Sequence, residues 1–117
     1  MTENELSRII VNTAFQIHSK IGPGLLESVC EEIMVYELLK QNCIVERQKA
    51  IPVYWNEVKM DMGFRADIIV DNKVIIELKS VQEMSLVYPK VLLTYLRMTS
   101  LKLGLLIMSI LLIFMQE

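Results

Sequence analysis

Apolar positions recur along this chain with two different periods. Leu6, Ile10, Ala14 and Ile17 fall three or four residues apart, which is the spacing of one helical face. Thr2 and Glu5 precede that face in the order of a capping box, so a first helix is predicted to about Lys20. Ile21-Gly22-Pro23-Gly24 breaks it. A second helix is predicted from about Leu26 to Gln41. Its apolar residues, among them Val29, Ile33, Met34, Tyr36, Leu38 and Leu39, spread round most of the circumference, and this predicts packing on both sides. A third helix is predicted to start near Tyr88 or Pro89, where proline is tolerated in the first turn, and to reach about Ser100.

Between the second and third helices the period changes. Ile44 to Tyr54 is rich in strand formers, with Pro52 marking an edge position or a bulge, and Trp55-Asn56-Glu57 reads as a turn. Val58 to Met62 leads into the strand that carries Asp67. Phe64, Ile68, Ile69 and Val70 form one apolar run, and Val74, Ile75, Ile76 and Leu78 form another, joined by a tight turn at Asp71-Asn72-Lys73. The segment from Ser80 to Pro89 reads as a connector, and Leu101 to Phe114 as one or two buried strands. The order α-α-β-β-β-α-β predicts an α/β fold, a mixed sheet flanked by helices, in a single domain over residues 1–117.

Composition changes this picture only slightly. Hydrophobic residues make up 53% of the 117, a high share for so small a domain. The mean hydropathy is +0.40. The run Leu103 to Met115 has thirteen residues, short of the roughly 18–20 that span a bilayer, so buried strands rather than a membrane segment are expected. Twelve basic against fourteen acidic residues give a net charge of −2, without the basic excess of a non-specific nucleic-acid binder. Cys30 and Cys43 have no metal-ligand spacing, and two free thiols in a reducing cytoplasm is the expectation. His18 is the only histidine, and its place at the end of the first helix suits a dipole interaction.

Three charges stand where a plain core would exclude them: Asp67 in the first strand of the hairpin, and Glu77 and Lys79 near the end of the second. Glu77 and Lys79 are two apart and share a face. If the register brings Asp67 alongside, two carboxylates and an ammonium converge. Such a group would suit Mg²⁺, which takes oxygen ligands and needs only one or two protein carboxylates. The Leu78 carbonyl is a further candidate oxygen. Lys79 would orient a water or neutralise charge on a phosphate. The competing reading is a solvent-exposed Glu77–Lys79 pair with Asp67 at a strand edge, and the residues alone leave both open. Glu27, in the first turn of the second helix, reads on its own as a charge favourable to the helix dipole by less than about 1 kcal/mol.

The blocks GPGLLESVCEE, ERQKAIPVYW, FRADIIVDNKVIIELKSV and LLTYLRMTSLKLGLLI together resemble the GxxExxY family of the PD-(D/E)XK nuclease superfamily, over about Ile10 to Ile107. The resemblance implies a restriction-endonuclease-like core and Mg²⁺- or Mn²⁺-dependent cleavage of nucleic-acid phosphodiesters, with DNA favoured over RNA. It implies that Glu27, Asp67 and Glu77 bind metal and that Lys79 is the catalytic lysine. Glu27 corresponds to the GxxE glutamate, which replaces the helix-dipole reading. Arg65 and Tyr95 correspond to positions expected to touch nucleic acid. The chain departs from the usual pattern at Cys30, where the motif ends in tyrosine, at Tyr88, where histidine is usual, and at Val91, where glutamine is usual. The last two thin the polar support beside the centre and imply reduced activity.

Two rival classes remain beside the nuclease reading. One is a catalytically weak nucleic-acid- or protein-binding module that keeps the fold. The other is a self-associating structural protein, a homo-oligomer hiding apolar residues that one small core cannot hold.

Overall fold

The computed structural model describes residues 1–22, 24, 26–79, 85–108 and 112–116. Helices α1 (Glu3–Ile21) and α2 (Glu27–Lys40) come first, then strands β1 (Val45–Ile51), β2 (Tyr54–Trp55), β3 (Val58–Lys59), β4 (Phe64–Val70) and β5 (Val74–Lys79). Helix α3 (Val87–Thr99) and strands β6 (Leu103–Met108) and β7 (Leu112–Gln116) complete the order. The five-stranded sheet runs β1-β4-β5-β6-β7, and β2 pairs β3 in a separate hairpin. β5 and β6 are parallel, linked through α3, and the other neighbours are antiparallel. The sheet is therefore mixed and flanked by helices, as the pattern of periods indicates.

The ends of α1 follow from local chemistry. The Thr2 hydroxyl accepts from the Glu5 N–H at 3.2 Å, and the Glu5 carboxylate accepts from the Thr2 N–H at 3.3 Å. This is the capping box, worth about 1 kcal/mol. At the other end Gly22 adopts φ +91° and gives its N–H to the His18 carbonyl at 2.8 Å. A side chain would be strained in that backbone conformation.

Two apolar layers sandwich the sheet. Leu6, Ile10 and Ile17 of α1 and Met34, Val35 and Leu38 of α2 pack on Ile68, Val70, Val74, Ile76 and Leu105. On the opposite face Leu92 and Leu96 of α3 pack on Ile51, Ala66, Ile69, Ile75 and Leu106. β5 is covered on both faces, as a central strand must be. Gly104 lets α3 settle onto β6, because a β-carbon there would lie 2.9 Å from Leu92 Cγ.

One reading is corrected by the structure, and two are given their detail. α2 buries only one stripe, and its Val29, Tyr36 and Leu39 are exposed, because α1 and the sheet both lie on the same side of it. Trp55-Asn56-Glu57 is the tip of a small hairpin with strands of its own, turning through positive φ at Asn56 and Glu57. The C-terminal run forms two strands, with β7 at the sheet edge. Residues 80–84 of the connector, Pro23 in the first break and residues 109–111 lie outside the described part. Among the described residues no helix is long and apolar enough to cross a membrane.

Candidate active site

β4 is interrupted at Asp67. Its register with β1 runs Arg47↔Ile68 and then Lys49↔Ala66, and its register with β5 stops at Ile68↔Ile76. Among the described residues of β4, Asp67 alone pairs with neither neighbour. The side-chain alternation also slips here. Ala66 and Ile69 pack beneath α3 although they are three residues apart, while Ile68 and Val70 pack beneath α1 and α2. A strand interrupted in this way leaves main-chain donors that something else must satisfy.

The two acids satisfy them. The Asp67 N–H donates to Glu77 Oε1 at 3.1 Å, and the Leu78 N–H donates to Asp67 Oδ2 at 2.8 Å. The hairpin therefore brings Asp67 and Glu77 together at the point where the strands part. Gln48 of β1 reaches in from the other side, donating from Nε2 to Asp67 Oδ1 at 3.4 Å.

Glu77 is only 6% exposed, so its charge is poorly solvated. Burial, and then the neighbouring Asp67 carboxylate, push its pKa up to about 8, against smaller opposing pulls from the Asp67 N–H and then from Lys79. Tyr95 of α3 lies within reach of the same field. Its phenol is raised first by burial and then by Glu77 and Asp67, and its ring tilts against Phe64 at 5.4 Å. Lys79, half-buried, sets its ammonium 5.1 Å from the centroid of the Tyr88 ring. Tyr88 thus gives Lys79 an aromatic neighbour. Val91 is half-buried on the same helix.

Glu27 stands at the first position of α2, exposed, on the wall of a cleft of about 180 Å³ that Ser28, Glu31, Gln48, Asp67 and Leu78 complete. Among the described residues no group of three or more His, Cys, Asp or Glu side chains is close enough to hold a metal ion. Arg65 is exposed on β4 opposite Ala50 of β1. Cys30 lines a second, apolar pocket of about 50 Å³ with Ala14, Ile17 and His18, on which Lys79 also borders.

Two residues near the centre escaped the sequence reading. Glu31 is 8% exposed and paired with Arg47 and Gln48. Its signal was available: it falls at helical spacing with Met34, Val35 and Leu38, an acid within the buried stripe of α2. Gln48 carried no such signal, because nothing in an exposed β1 position announces a contact 19 residues away.

The PD-(D/E)XK nuclease superfamily profile matches residues 4–109. The chain belongs to this superfamily. Its three helices and mixed five-stranded sheet agree with the restriction-endonuclease-like core of these enzymes, and membership supports a nuclease-like function in general. PD-(D/E)XK nucleases act on nucleic acid and generally use divalent metals. No curated protein and no solved structure matches the chain.

The donors at the strand interruption fit such a cation. Asp67 and Glu77 supply carboxylate oxygens, and the strand geometry that turns the Leu78 N–H toward Asp67 turns its carbonyl the same way. All are hard oxygen donors. Two carboxylates suffice where water and phosphate complete the coordination.

Proposed function

We propose that this PD-(D/E)XK protein is a Mg²⁺- or Mn²⁺-dependent nuclease of the GxxExxY group, cleaving phosphodiester bonds in nucleic acid, DNA in preference to RNA. The observation that carries the reading is the mutual bonding of Asp67 and Glu77 where β4 and β5 part. In this reading Asp67, Glu77 and the Leu78 carbonyl would hold the cation, with Glu27 on the cleft wall as a further ligand. The bound cation supplies Lewis acidity toward a phosphate oxygen and a water of lowered pKa.

The chain's own residues do the rest. Glu77 holds a proton near neutral pH and gives it up when a cation competes for its oxygens. Lys79 offsets negative charge gathering on the phosphate, from a position against the Tyr88 ring. Tyr95 and Arg65 contact the nucleic acid, the former from α3 beside the two acids and the latter from the exposed face of β4. The unpaired Cys30 and Cys43 suit a reducing compartment, and in this reading the protein works in the cytoplasm. Self-association through the apolar residues that α2 leaves exposed belongs to the same reading, with sedimentation as its test.

The second reading, a binding module that keeps the fold with weak catalysis, is favoured by the aromatic neighbour of Lys79. One assay separates the two: single- and double-stranded DNA and RNA incubated with Mg²⁺ or Mn²⁺, using wild type and Glu77→Ala. Metal-dependent cleavage lost in the variant supports the nuclease. Binding that is equal with and without metal, and no cleavage, supports the module.

A further inference from the structure

We propose that Gln48 is a positioning residue for Asp67, the last link of a relay that runs from Arg47 through Glu31 and Gln48 into the candidate centre. The proposal rests on the reading of Asp67 as a cation ligand.

Its first support is the state of Glu31. This carboxylate is buried within the apolar stripe of α2, where an unpaired charge would be strongly unfavourable. Its Oε2 accepts from Arg47 Nε at 3.3 Å and from Nη2 at 3.0 Å, and its Oε1 accepts from Gln48 Nε2 at 2.6 Å. The charge is compensated by Arg47, so Glu31 holds Gln48 while adding little net negative potential beside Asp67.

The second support is the second donor of that amide. A carboxamide nitrogen carries two protons, so one Gln48 can bridge two carboxylates that would otherwise repel each other. The remaining proton faces Asp67 Oδ1 at 3.4 Å. Only the nitrogen end of the amide can face two carboxylates at once. Since the Leu78 N–H already holds Oδ2, both oxygens of Asp67 are given a place. The longer contact leaves Oδ1 the weaker held of the two, which suits an oxygen that must also meet a cation.

The third support is in the backbone. Gln48 adopts φ +47° in the interior of β1, opposite the one residue of β4 that pairs with neither neighbour. Glutamine does not take up the left-handed region freely, and such conformations persist where surrounding contacts impose them. Here the imposed turn aims the side chain between α2 and β4. Outer contacts of this kind orient ligands, and their loss typically lowers metal affinity about 10–100-fold.

The test uses the full chain, Mn²⁺ as probe, and two variants. Gln48→Leu removes both donors and keeps the strained backbone; Gln48→Gly removes them and relieves it. The expected result is that thermal stability diverges between the variants while Mn²⁺ affinity falls about tenfold or more in both. A purely structural role would tie affinity to stability. Affinity within twofold of wild type in either variant overturns the proposal. A metal-free measurement separates the relay from the centre: the Gln48 side-chain amide resonances should shift in both Asp67→Asn and Glu31→Gln. If wild type binds no Mn²⁺, the reading of the centre fails and the resonances decide the relay. Resonances unmoved by Asp67→Asn overturn it whatever the metal does.

Discussion

Asp67 and Glu77 stand on facing strands, and the N–H of the first donates to the carboxylate of the second at 3.1 Å. A side chain here takes the place of a ladder hydrogen bond. The arrangement holds a buried acid beside another acid, a costly placement for a stable fold and a useful one for a cation site.

The cost of that placement depends on pH. Glu77 is raised from 4.5 to about 8 in the folded chain, so the folded state binds its proton more tightly than the unfolded state does. The stability this contributes is complete below pH 4.5 and is lost as pH rises through 8. Unfolding by denaturant without divalent metal should therefore show stability falling across this window, by at most about 1.4 kcal/mol per pH unit. Glu77→Gln should flatten the profile and be the more stable protein at pH 9. Parallel profiles would contradict the burial of an ionisable Glu77.

Lys79 and Tyr88 should be energetically coupled. An ammonium over an aromatic ring at a partly exposed site is worth about 0.5–1 kcal/mol. A double-mutant cycle with Lys79→Met and Tyr88→Leu should return a coupling of that size, and Tyr88→Phe should preserve it. No coupling would mean that the ring merely neighbours the lysine.

Gly104→Ala should destabilise the protein by about 1–3 kcal/mol, since the new methyl group meets Leu92 at 2.9 Å. A lowered denaturant midpoint that Leu92→Ala partly restores would place the effect at the contact between α3 and β6. An unchanged midpoint would mean that α3 does not seat on that strand.

Local chemistry made much of this legible from the chain. The β-branched runs on either side of Asp71-Asn72 specify the hairpin, and both turn residues adopt φ +51°. The capping box at Thr2 and the apolar face of α1 are equally local signals. The exposure of Val29, Tyr36 and Leu39 was illegible, because an apolar residue on a helix does not reveal whether a neighbour will cover it. The turn at Asn56 and Glu57 was legible, but strands of two residues leave no periodicity to show that β2 and β3 pair apart from the main sheet. For the site, the sequence supplied Asp67, Glu77 and Lys79, whose charges interrupt apolar runs. It could not supply the slip at Asp67 or the reach of Gln48 across to it, since both arise from pairings between distant segments.

The central claim is that Asp67 and Glu77 form a divalent-cation site. Its most direct test is calorimetric titration of Mn²⁺ at pH 7 into wild type and Asp67→Ala, repeated in buffers of different ionisation enthalpy. Because Glu77 holds a proton at that pH, binding should release about one proton, and the apparent enthalpy should change with the buffer. Binding and proton release should both vanish in Asp67→Ala. Mn²⁺ binding of equal strength in the variant, or no binding by wild type, would contradict the account.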